Sequence, residues 1–240
     1  MFHETTTRSI LKTLSWRLLA TLTTVLLVYI FTGKVGMAFT IGGIEIILKM
    51  LLYFLHERAW DKTSFGRKEP RPAVVWFTGL SGAGKSTISE KVYEHLKQQG
   101  VKVEHLDGDR VREIFPKTGF SKEERNRHVK RVGFLASMLE KNGVTVLASF
   151  ISPYRESRQF VRELCDNFVE VYVATPLKVC EQRDIKGLYA KARKGEITQF
   201  TGIDDPYEAP EKAEIIVDTS HQSIDESVAH VLRELEKYQK

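Results

Sequence analysis

The chain has 240 residues and 42% hydrophobic content, which is enough for one good-sized domain and a smaller second unit. Its 36 basic and 31 acidic residues leave a net charge of +5, so we expect no nucleic-acid partner, although this balance suits phosphorylated or sulfated ligands and a membrane surface. Two cysteines, Cys165 and Cys180, lie outside any metal-binding or CxxC spacing and indicate no disulfide framework.

Two long apolar runs occupy the N-terminal part of the chain. Residues 14–31 carry one charge, Arg17, and residues 35–55 carry only Glu45 and Lys49, which are four apart and can neutralise each other on a helix. Each run approaches the ~20 residues required to cross a hydrocarbon core. Basic residues lie outside both runs, and a single lysine lies between them. This pattern predicts a helical hairpin whose two ends face the cytoplasm.

We therefore predict that residues 1–63 form a two-helix transmembrane domain in a bacterial inner membrane, with the lipid bilayer as a partner. A soluble helical hairpin packed against the rest of the chain or a second copy is the alternative, since the first run is short for a span. Glycines in the second run would allow close helix approach, so we expect a homo-oligomer. The polar residues 64–72 are predicted to be a linker to a domain over residues 73–240.

A phosphate-binding loop follows the first strand-like run of that domain. Residues 79–87 read GLSGAGKST, directly after the apolar run 73–78 and before a helical pattern over 85–99. Glycines let the backbone N–H groups approach phosphates, Lys85 reaches the β and γ phosphates, and the Ser86 hydroxyl can bind Mg²⁺. The predicted ligands are ATP and Mg²⁺. The predicted nucleotide-binding residues are Gly79, Ser81, Gly82, Ala83, Gly84, Lys85, Ser86 and Thr87.

Strand-like runs and amphipathic helical patterns alternate through the rest of the domain. This alternation predicts an α/β fold of the P-loop NTPase type, with a parallel sheet wrapped by helices. Ligands of such folds bind beyond the carboxyl ends of the strands. The predicted strands are 73–78, 101–106, 143–149, 169–174 and 214–217.

Charged residues follow the second predicted strand. Asp107, Asp109 and Arg112 come directly after it, where a carboxylate can hold Mg²⁺ or orient an attacking hydroxyl and an arginine can bind an anion. The strand over 143–149 ends in serine rather than an aspartate, so the two aspartates are the candidates for the magnesium role. We assign the metal to Ser86 and Asp109. For Asp107, capping of the following helix is the alternative.

Three further segments contribute candidate anion-binding residues. A helix after residue 121 would place Arg125 and His128 on one face. Ser152 and Arg155 follow the strand over 143–149, at the same edge of the sheet. The segment 183–205 combines lysines and arginines with glycines, as is typical of a mobile lid that closes over phosphates.

As a set, these motifs resemble the adenylylsulfate kinase family, which phosphorylates the 3′-hydroxyl of adenosine 5′-phosphosulfate with ATP. The resemblance covers about residues 71–240 and rests on GLSGAGKST, LDGD, GFS before an arginine-rich helix, FISPYR, KGLYAKAR and FTGIDDPYE, in that order. It implies a kinase that makes 3′-phosphoadenylylsulfate, and together with the predicted N-terminal hairpin this gives a membrane-tethered kinase. A P-loop kinase for another small hydroxylated substrate and a nucleotide-gated membrane signalling module are the alternatives.

The resemblance also implies roles for particular residues. It implies catalytic roles for Asp109 near the reacting hydroxyl, for Lys85, and for Ser152, the serine that becomes phosphorylated in some members. Arg112, Arg125 and Lys186 would surround the phosphosulfate, and Phe120 and Phe200 would sandwich the adenine. The chain departs from the family's pattern at His128, where we expect asparagine. The implied substrate-binding residues are Asp107, Arg112, Phe120, Arg125, His128, Ile151, Ser152, Arg155, Lys186 and Phe200.

Overall fold

The computed structural model describes residues 3–4, 6–31, 38–63, 65, 67–68, 70–115 and 119–240. The chain divides into two compact units, Phe2–Glu69 and Pro70–Lys240. The division falls inside the segment predicted to be a linker. Prolines at positions 70 and 72 disfavour helix in the residues before them, which is consistent with a break in regular structure at this point.

The N-terminal unit contains two helices, α1 (Thr6–Phe31) and α2 (Ala38–Asp61), and two short strands, β1 (His3–Glu4) and β2 (Arg67–Lys68). The helices contact each other, and β1 pairs with β2 in an antiparallel arrangement. Trp16 of α1 packs edge-on against Tyr53 of α2, with 5.1 Å between ring centroids. Lys12 forms an ion pair of 3.0 Å with Glu57. Lys12 contacts Glu57 and the later residue Trp16 contacts the earlier residue Tyr53, so the two helices are antiparallel.

Arg8 joins the start of α1 to the end of α2. Its buried guanidinium donates hydrogen bonds to the backbone carbonyls of Trp60, Thr63 and Phe65. The last carbonyls of a helix have no partner within the helix, so a cation at this end both satisfies them and complements the helix dipole.

The expectation of two membrane-spanning helices is not confirmed. Helices α1 and α2 include most of the two apolar runs, but no helix in the described part of the chain is both long and apolar enough to cross a membrane. The predicted pairing of Glu45 with Lys49 lies outside the described side chains, because Glu45 is not among them.

The C-terminal unit is built on a five-stranded sheet, with strand order β4-β5-β3-β6-β7 and every neighbouring pair parallel. This confirms the predicted α/β fold with a parallel sheet. The register places Ser149 opposite both Phe77 and Asp107, so the carboxyl ends of the three strands meet at one edge. The strands are β3 (Val74–Thr78), β4 (Val103–Asp107), β5 (Thr145–Ser149), β6 (Phe168–Val173) and β7 (Ile215–Val217).

Helices cover both faces of this sheet because alternate residues of its strands point to opposite sides. Val75 and Phe77 belong to one buried cluster with residues of the third and ninth helices, whereas Val74 and Trp76 belong to a second cluster with residues of the fifth and sixth. The helices are α3 (Lys85–Gln98), α4 (Gly108–Ile114), α5 (Lys122–Lys141), α6 (Arg155–Leu164), α7 (Leu177–Arg183), α8 (Leu188–Arg193) and α9 (Ile224–Tyr238).

Gly133 of α5 packs against Val161 of α6, and we predict that an added methyl group is not tolerated there. A Cβ on Gly133 would lie 2.3 Å from Cγ2 of Val161. Gly133→Ala should therefore destabilise the unit by about 1–3 kcal/mol through overpacking, despite the higher helix propensity of alanine. Urea unfolding followed by Trp76 fluorescence, in a Trp16→Phe/Trp60→Phe background, measures this.

The matched control is Val161→Ala, which removes the two methyl groups that the new Cβ would meet. The double variant Gly133→Ala/Val161→Ala should be less destabilised than the sum of the single variants, by about 1 kcal/mol or more. Strict additivity of the two changes would contradict this account of the contact.

Candidate active site

The phosphate loop connects β3 to α3 through three glycines, Gly79, Gly82 and Gly84, in conformations that other residues rarely adopt. Gly79 has φ +150°, and a Cβ there would lie 2.6 Å from the carbonyl oxygen of Val173. Gly84 has φ +103° and precedes the first residue of α3. The loop therefore ends at the amino terminus of a helix, where unpaired N–H groups and the helix dipole favour an anion. Ala83, within the loop, is buried, and its carbonyl accepts hydrogen bonds from Thr175 and Thr219.

Lys85 is the first residue of α3, and its side chain is buried. Its Nζ donates a hydrogen bond of 2.8 Å to the carbonyl of Leu80. Burial disfavours the charged amine, and this is the largest cause that lowers the pKa of Lys85 to about 8. A phosphate group would offset this desolvation, so the buried lysine is suited to bind an anion.

Ser86 lies beside Asp107 rather than Asp109. The Ser86 hydroxyl donates to Asp107 Oδ2 at 2.9 Å and lies 3.3 Å from the Ser149 hydroxyl. The other oxygen of Asp107 accepts from the Asp109 amide at 3.1 Å, so Asp107 also caps α4, as the alternative interpretation of the sequence held. A hydroxyl and a carboxylate are hard oxygen ligands that fit Mg²⁺ together with phosphate oxygens. The described residues contain no cluster of three or more His, Cys, Asp or Glu residues that could bind a metal by themselves.

Asp109 lies two residues after Asp107, as the second residue of α4, and its side chain has a different partner. Its Oδ2 accepts a hydrogen bond from Lys186 Nζ, and both side chains are more than half exposed. The carboxylate of Asp109 therefore faces the segment between α7 and α8 and not Ser86, whose carboxylate neighbour is Asp107, and the assignment of Mg²⁺ to Ser86 and Asp109 stays a prediction. This arrangement leaves Asp109 accessible to an acceptor molecule.

A second group of residues lies on α4, on α5 and in the loop before α5. Ser121 begins α5 with a capping box that includes Glu124, which fixes the direction of the helix. Phe120, directly before it, is 60% exposed, and the Arg112 guanidinium lies 4.8 Å from its ring centroid. An exposed aromatic ring beside a guanidinium can hold a planar, negatively charged ligand.

His128 is buried in the wall of the same site. The residue is 2% exposed, and neither ring nitrogen has a hydrogen-bond partner among the described residues. Burial is the largest cause that lowers the pKa of His128 to about 4, and the charges of Arg112 and Arg131 act in the same direction. The imidazole is therefore neutral near pH 7, with one donor and one acceptor available.

Two predicted substrate residues, Ser152 and Arg155, have other partners. Ser152 is 3% exposed, and its hydroxyl accepts from Trp76 Nε1 and donates to Thr78 Oγ1, each at 3.0 Å. Its backbone adopts φ +38°, and Arg158 donates to its carbonyl. The prediction that Arg155 lies at the substrate site is not supported by its position. Its guanidinium donates to the carboxylate of Glu211 and to the carbonyl of Ala209, and the residue does not line the cavity described next.

A cavity of about 950 Å³ is lined both by the phosphate loop with its neighbouring aspartates and by the group of residues on α4, on α5 and before α5. Its size is at the upper end of the range for small-molecule sites. Of the predicted site residues, the lining includes Ser81, Gly82, Gly84, Lys85, Ser86, Thr87, Asp107, Asp109, Arg112, Phe120, Arg125, His128, Ile151, Ser152, Lys186 and Phe200.

The cavity also has lining residues that the sequence analysis missed, chiefly Thr219 and Gln222, and it is lined by Arg183, the first residue of the predicted lid segment. Arg183 donates to the hydroxyl and the carbonyl of Thr219 at 2.8 and 2.7 Å. Thr219 and Gln222 follow β7, so the rule that ligands bind beyond the carboxyl ends of strands could have identified this segment.

Comparison with known proteins gives two family matches. Residues 71–218 match the family described as adenylylsulphate kinase. Residues 10–61 match the family described as predicted membrane protein (DUF2061).

Individual relatives agree with the first match. The chain is 54% identical over 169 residues to an adenylyl-sulfate kinase of Synechococcus sp. (strain JA-3-3Ab), which covers 70% of this chain and 96% of that protein. The structure of the Mycobacterium tuberculosis APS kinase in complex with AMPPNP and APS superposes with a TM-score of 0.67 and 43% identity, over 70% of this chain and 99% of that one. A hexameric APS kinase from Thiobacillus denitrificans has a TM-score of 0.56 and 33% identity, over 76% of this chain and 32% of that one.

The lowered pKa of Lys85 predicts a specific pH dependence of nucleotide binding. As the pH rises through about 8, Lys85 loses its proton in the free protein, whereas bound phosphate favours the charged form. Binding above pH 8 must therefore take up a proton, and the affinity for AMPPNP should fall by up to tenfold per pH unit. Calorimetry between pH 7 and 9.5 measures this change.

The control for this prediction is Lys85→Arg, whose guanidinium stays charged throughout the range. Its affinity is expected to be lower but independent of pH. An equal affinity of the unmodified chain at pH 7 and pH 9.5 would show that Lys85 does not titrate as proposed.

Proposed function

The chain belongs to the adenylylsulfate kinase family, and from this we propose that residues 73–240 transfer the γ-phosphoryl group of ATP to the 3′-hydroxyl of adenosine 5′-phosphosulfate. The product would be 3′-phosphoadenylylsulfate. The observation that best supports the proposal is the continuity of one cavity from the phosphate loop to Phe120 and Arg112, with Asp109 and Lys186 also in its wall. A phosphoryl donor and an acceptor nucleotide need such a shared space to meet.

On the donor side, the loop amides and Lys85 would bind the phosphates of ATP. Lys85 would exchange its hydrogen bond to the Leu80 carbonyl for one to a phosphate oxygen. Ser86 and Asp107 would hold Mg²⁺, which neutralises charge on the phosphates when it is bound. The transition state of this reaction is loose and has little covalent chemistry for the protein to perform, so the main contributions are positioning and charge.

On the acceptor side, Phe120 and Phe200 would hold the adenine and Arg112 the phosphosulfate. Phe200 is nearly buried and packs edge-on against Tyr189, with 5.0 Å between the ring centroids, so its ring is held in place by the protein. Phe120, in contrast, is exposed. His128 takes the place of the expected asparagine and, as a neutral imidazole, retains both a donor and an acceptor. This supports retention of the acceptor that the family implies.

The transfer step needs a base for the 3′-hydroxyl. The 3′-oxygen would form a bond to the γ phosphorus as the bond from that phosphorus to the bridging oxygen breaks and ADP leaves. The proton of the hydroxyl would pass to the carboxylate of Asp109. Lys186 would leave Asp109 to contact the phosphosulfate of the acceptor, and the exposure of the pair keeps the cost of this exchange small.

We also propose that residues 1–63 tether the kinase to the inner membrane, with the catalytic domain in the cytoplasm and residues 64–72 as linker. The match of residues 10–61 to a predicted membrane protein family supports this. So do the outward-facing apolar side chains of both helices, since exposed apolar surface of this kind indicates a lipid or protein contact. They include Ile10, Leu14 and Ile30 of α1 and Met50, Leu51, Phe54 and Leu55 of α2. Packing of these surfaces between copies would give the homo-oligomer that we also propose.

The role of Asp109 predicts a selective loss of turnover. Asp109→Asn keeps the size of the side chain but removes the proton acceptor, so kcat for adenylylsulfate should fall by about 10²–10⁴-fold. The affinity for AMPPNP should stay within about threefold, because the phosphate loop is untouched. Asp225→Asn, at an exposed aspartate that pairs with Lys91, is the control and should be unchanged. Retention of more than a tenth of the turnover by Asp109→Asn would remove Asp109 from the mechanism.

The tether predicts that attachment and catalysis can be separated. A chain that begins at Pro70 should keep kcat/KM within about threefold and move from the carbonate-washed membrane fraction to the supernatant. Ultracentrifugation of cell extracts followed by the kinase assay measures both. A full-length chain found in the supernatant would refute the tether, and inactivity of the shortened chain would favour a regulatory role of the N-terminal unit.

A further inference from the structure

The outward face of α2 changes from apolar to basic toward the end of the helix. Leu51, Phe54 and Leu55 are each more than half exposed, and Arg58 and Lys62, which follow them, are exposed as well. The amide of Lys62 donates to the carbonyl of Arg58, so the helical turn continues to this residue. Steps of three or four positions connect the five residues, which places them on one side of the helix. This face, the α2 stripe, is an apolar surface that ends in two cations.

The opposite face of α2 packs against α1 and uses a different set of polar residues. Glu57 pairs with Lys12 of α1 at 3.0 Å, and the Ser15 hydroxyl lies 2.8 Å from Nε2 of His56. Arg8 is buried and donates to backbone carbonyls at and beyond the end of α2. The cations of α1 described here thus have acceptors inside the hairpin, where they stabilise the contact between the two helices.

The two cations of the α2 stripe differ from these inner cations. Neither Arg58 nor Lys62 forms an ion pair with a carboxylate in the described part of the chain. The Arg58 guanidinium lies 5.2 Å from the ring centroid of Phe54, one turn earlier. Contact with the face of a ring leaves the N–H groups at the edge of the guanidinium for other acceptors, and phosphate oxygens are among the strongest. The stripe therefore presents two cations that can bind anions outside the hairpin.

Aromatic residues lie at the same end of the hairpin as the stripe. Trp16 packs edge-on against Tyr53, and Trp60 lies between Arg58 and Lys62 in the sequence. Tryptophan and tyrosine favour the boundary between hydrocarbon and water, because their rings are apolar and carry one polar group. At 1.5 Å per residue, the stripe extends over roughly 16 Å, which is long enough to reach from the acyl chains of a leaflet through its headgroups. The order of apolar, aromatic and basic residues therefore matches the layers of one leaflet.

We propose that the α2 stripe binds an anionic phospholipid surface, with its apolar side chains among the acyl chains and with Arg58 and Lys62 on headgroup phosphates. This inference rests on the proposed tether, to which it adds the class of lipid and the face in contact. Apolar side chains gain similar free energy from any phospholipid, whereas cations are attracted specifically to a negatively charged leaflet. The outward face of α1 remains for contacts between copies of the chain.

The test uses tryptophan fluorescence to identify the lipid next to the hairpin. The full chain is mixed with vesicles of phosphatidylcholine and phosphatidylglycerol, in which only one of the two lipids carries bromine, a quencher of nearby tryptophans. Brominated phosphatidylglycerol should quench more strongly, with a relative affinity of about tenfold over phosphatidylcholine, since each basic residue near the surface contributes on the order of fivefold. Trp76 is buried in the C-terminal unit, so the quenching should disappear in Trp16→Phe/Trp60→Phe.

Charge variants assign the preference to the stripe. In Arg58→Gln/Lys62→Gln, the relative affinity for phosphatidylglycerol should fall to within about twofold of that for phosphatidylcholine, because the attraction to the charged headgroup is lost. Arg58→Lys/Lys62→Arg keeps both charges and should keep the preference. The matched control, Lys102→Gln/Lys212→Gln, removes the same charge from exposed positions of the C-terminal unit and should have no effect.

Three results would overturn the inference. They are equal quenching by the two lipids, a preference that survives in Arg58→Gln/Lys62→Gln, and no quenching by either lipid, which would indicate that a second copy covers the stripe or that the chain does not bind vesicles. The tether can fail separately. If carbonate washing releases the full chain but phosphatidylglycerol still quenches selectively at neutral pH, the tether fails and the anionic surface stands. If the chain stays in the washed membranes and the two lipids quench equally, the tether stands and the inference fails.

Discussion

The parallel pairing of β3, β4 and β5 is the constraint on which the site depends. Ser149 lies opposite both Phe77 and Asp107, so the phosphate loop after β3 and the aspartates after β4 begin at the same edge of the sheet. Side chains 21 residues apart in sequence, Ser86 and Asp107, then come within 2.9 Å. A slip of one residue in either pairing would reverse the face of every side chain in that strand and separate these groups.

Burial determines the protonation of two side chains near this edge of the sheet. Lys85 is a buried cation whose described hydrogen bond goes to a neutral carbonyl, and His128 is a buried imidazole without a partner among the described residues. In both, removal from water lowers the pKa, since the charged form loses its hydration. The consequences for ligand binding differ. A bound anion would stabilise the charged form of Lys85, whereas His128 stays a neutral group that can donate and accept one hydrogen bond each. Arg125, which is buried, shows a third outcome, in which protein acceptors around Phe200 replace the water.

The sequence was sufficient for features that depend on neighbours in the chain. The phosphate loop, the strands and the position of α5 follow from glycine spacing, apolar runs and the helical spacing of residues after position 121. The partners of Arg125 could not be predicted in this way, because three of its acceptors lie 74 to 80 residues away in an irregular segment. The choice between Asp107 and Asp109 also depended on the backbone, since the extended conformation of Asp107 lets one carboxylate oxygen cap α4 while the other contacts Ser86. Membrane attachment was predicted from the two apolar runs and the basic residues that flank them, and it remains a proposal.

The segment between α7 and α8 combines a fixed base with an exposed tip, which is what a lid requires. Tyr189 donates from its hydroxyl to the Ser81 carbonyl, and Asp184 accepts from the first amides of α8, so α8 is attached to the phosphate loop. Lys186 lies between the attached residues Asp184 and Tyr189, and its described hydrogen-bond partner is the exposed Asp109. An exposed ion pair contributes little to stability, so phosphate groups can replace Asp109 as the partner of Lys186 without unfolding the base. Under the proposed function, the same exchange would release the carboxylate of Asp109 when the acceptor hydroxyl needs a base, and closure of this segment would then be coupled to activation of the nucleophile.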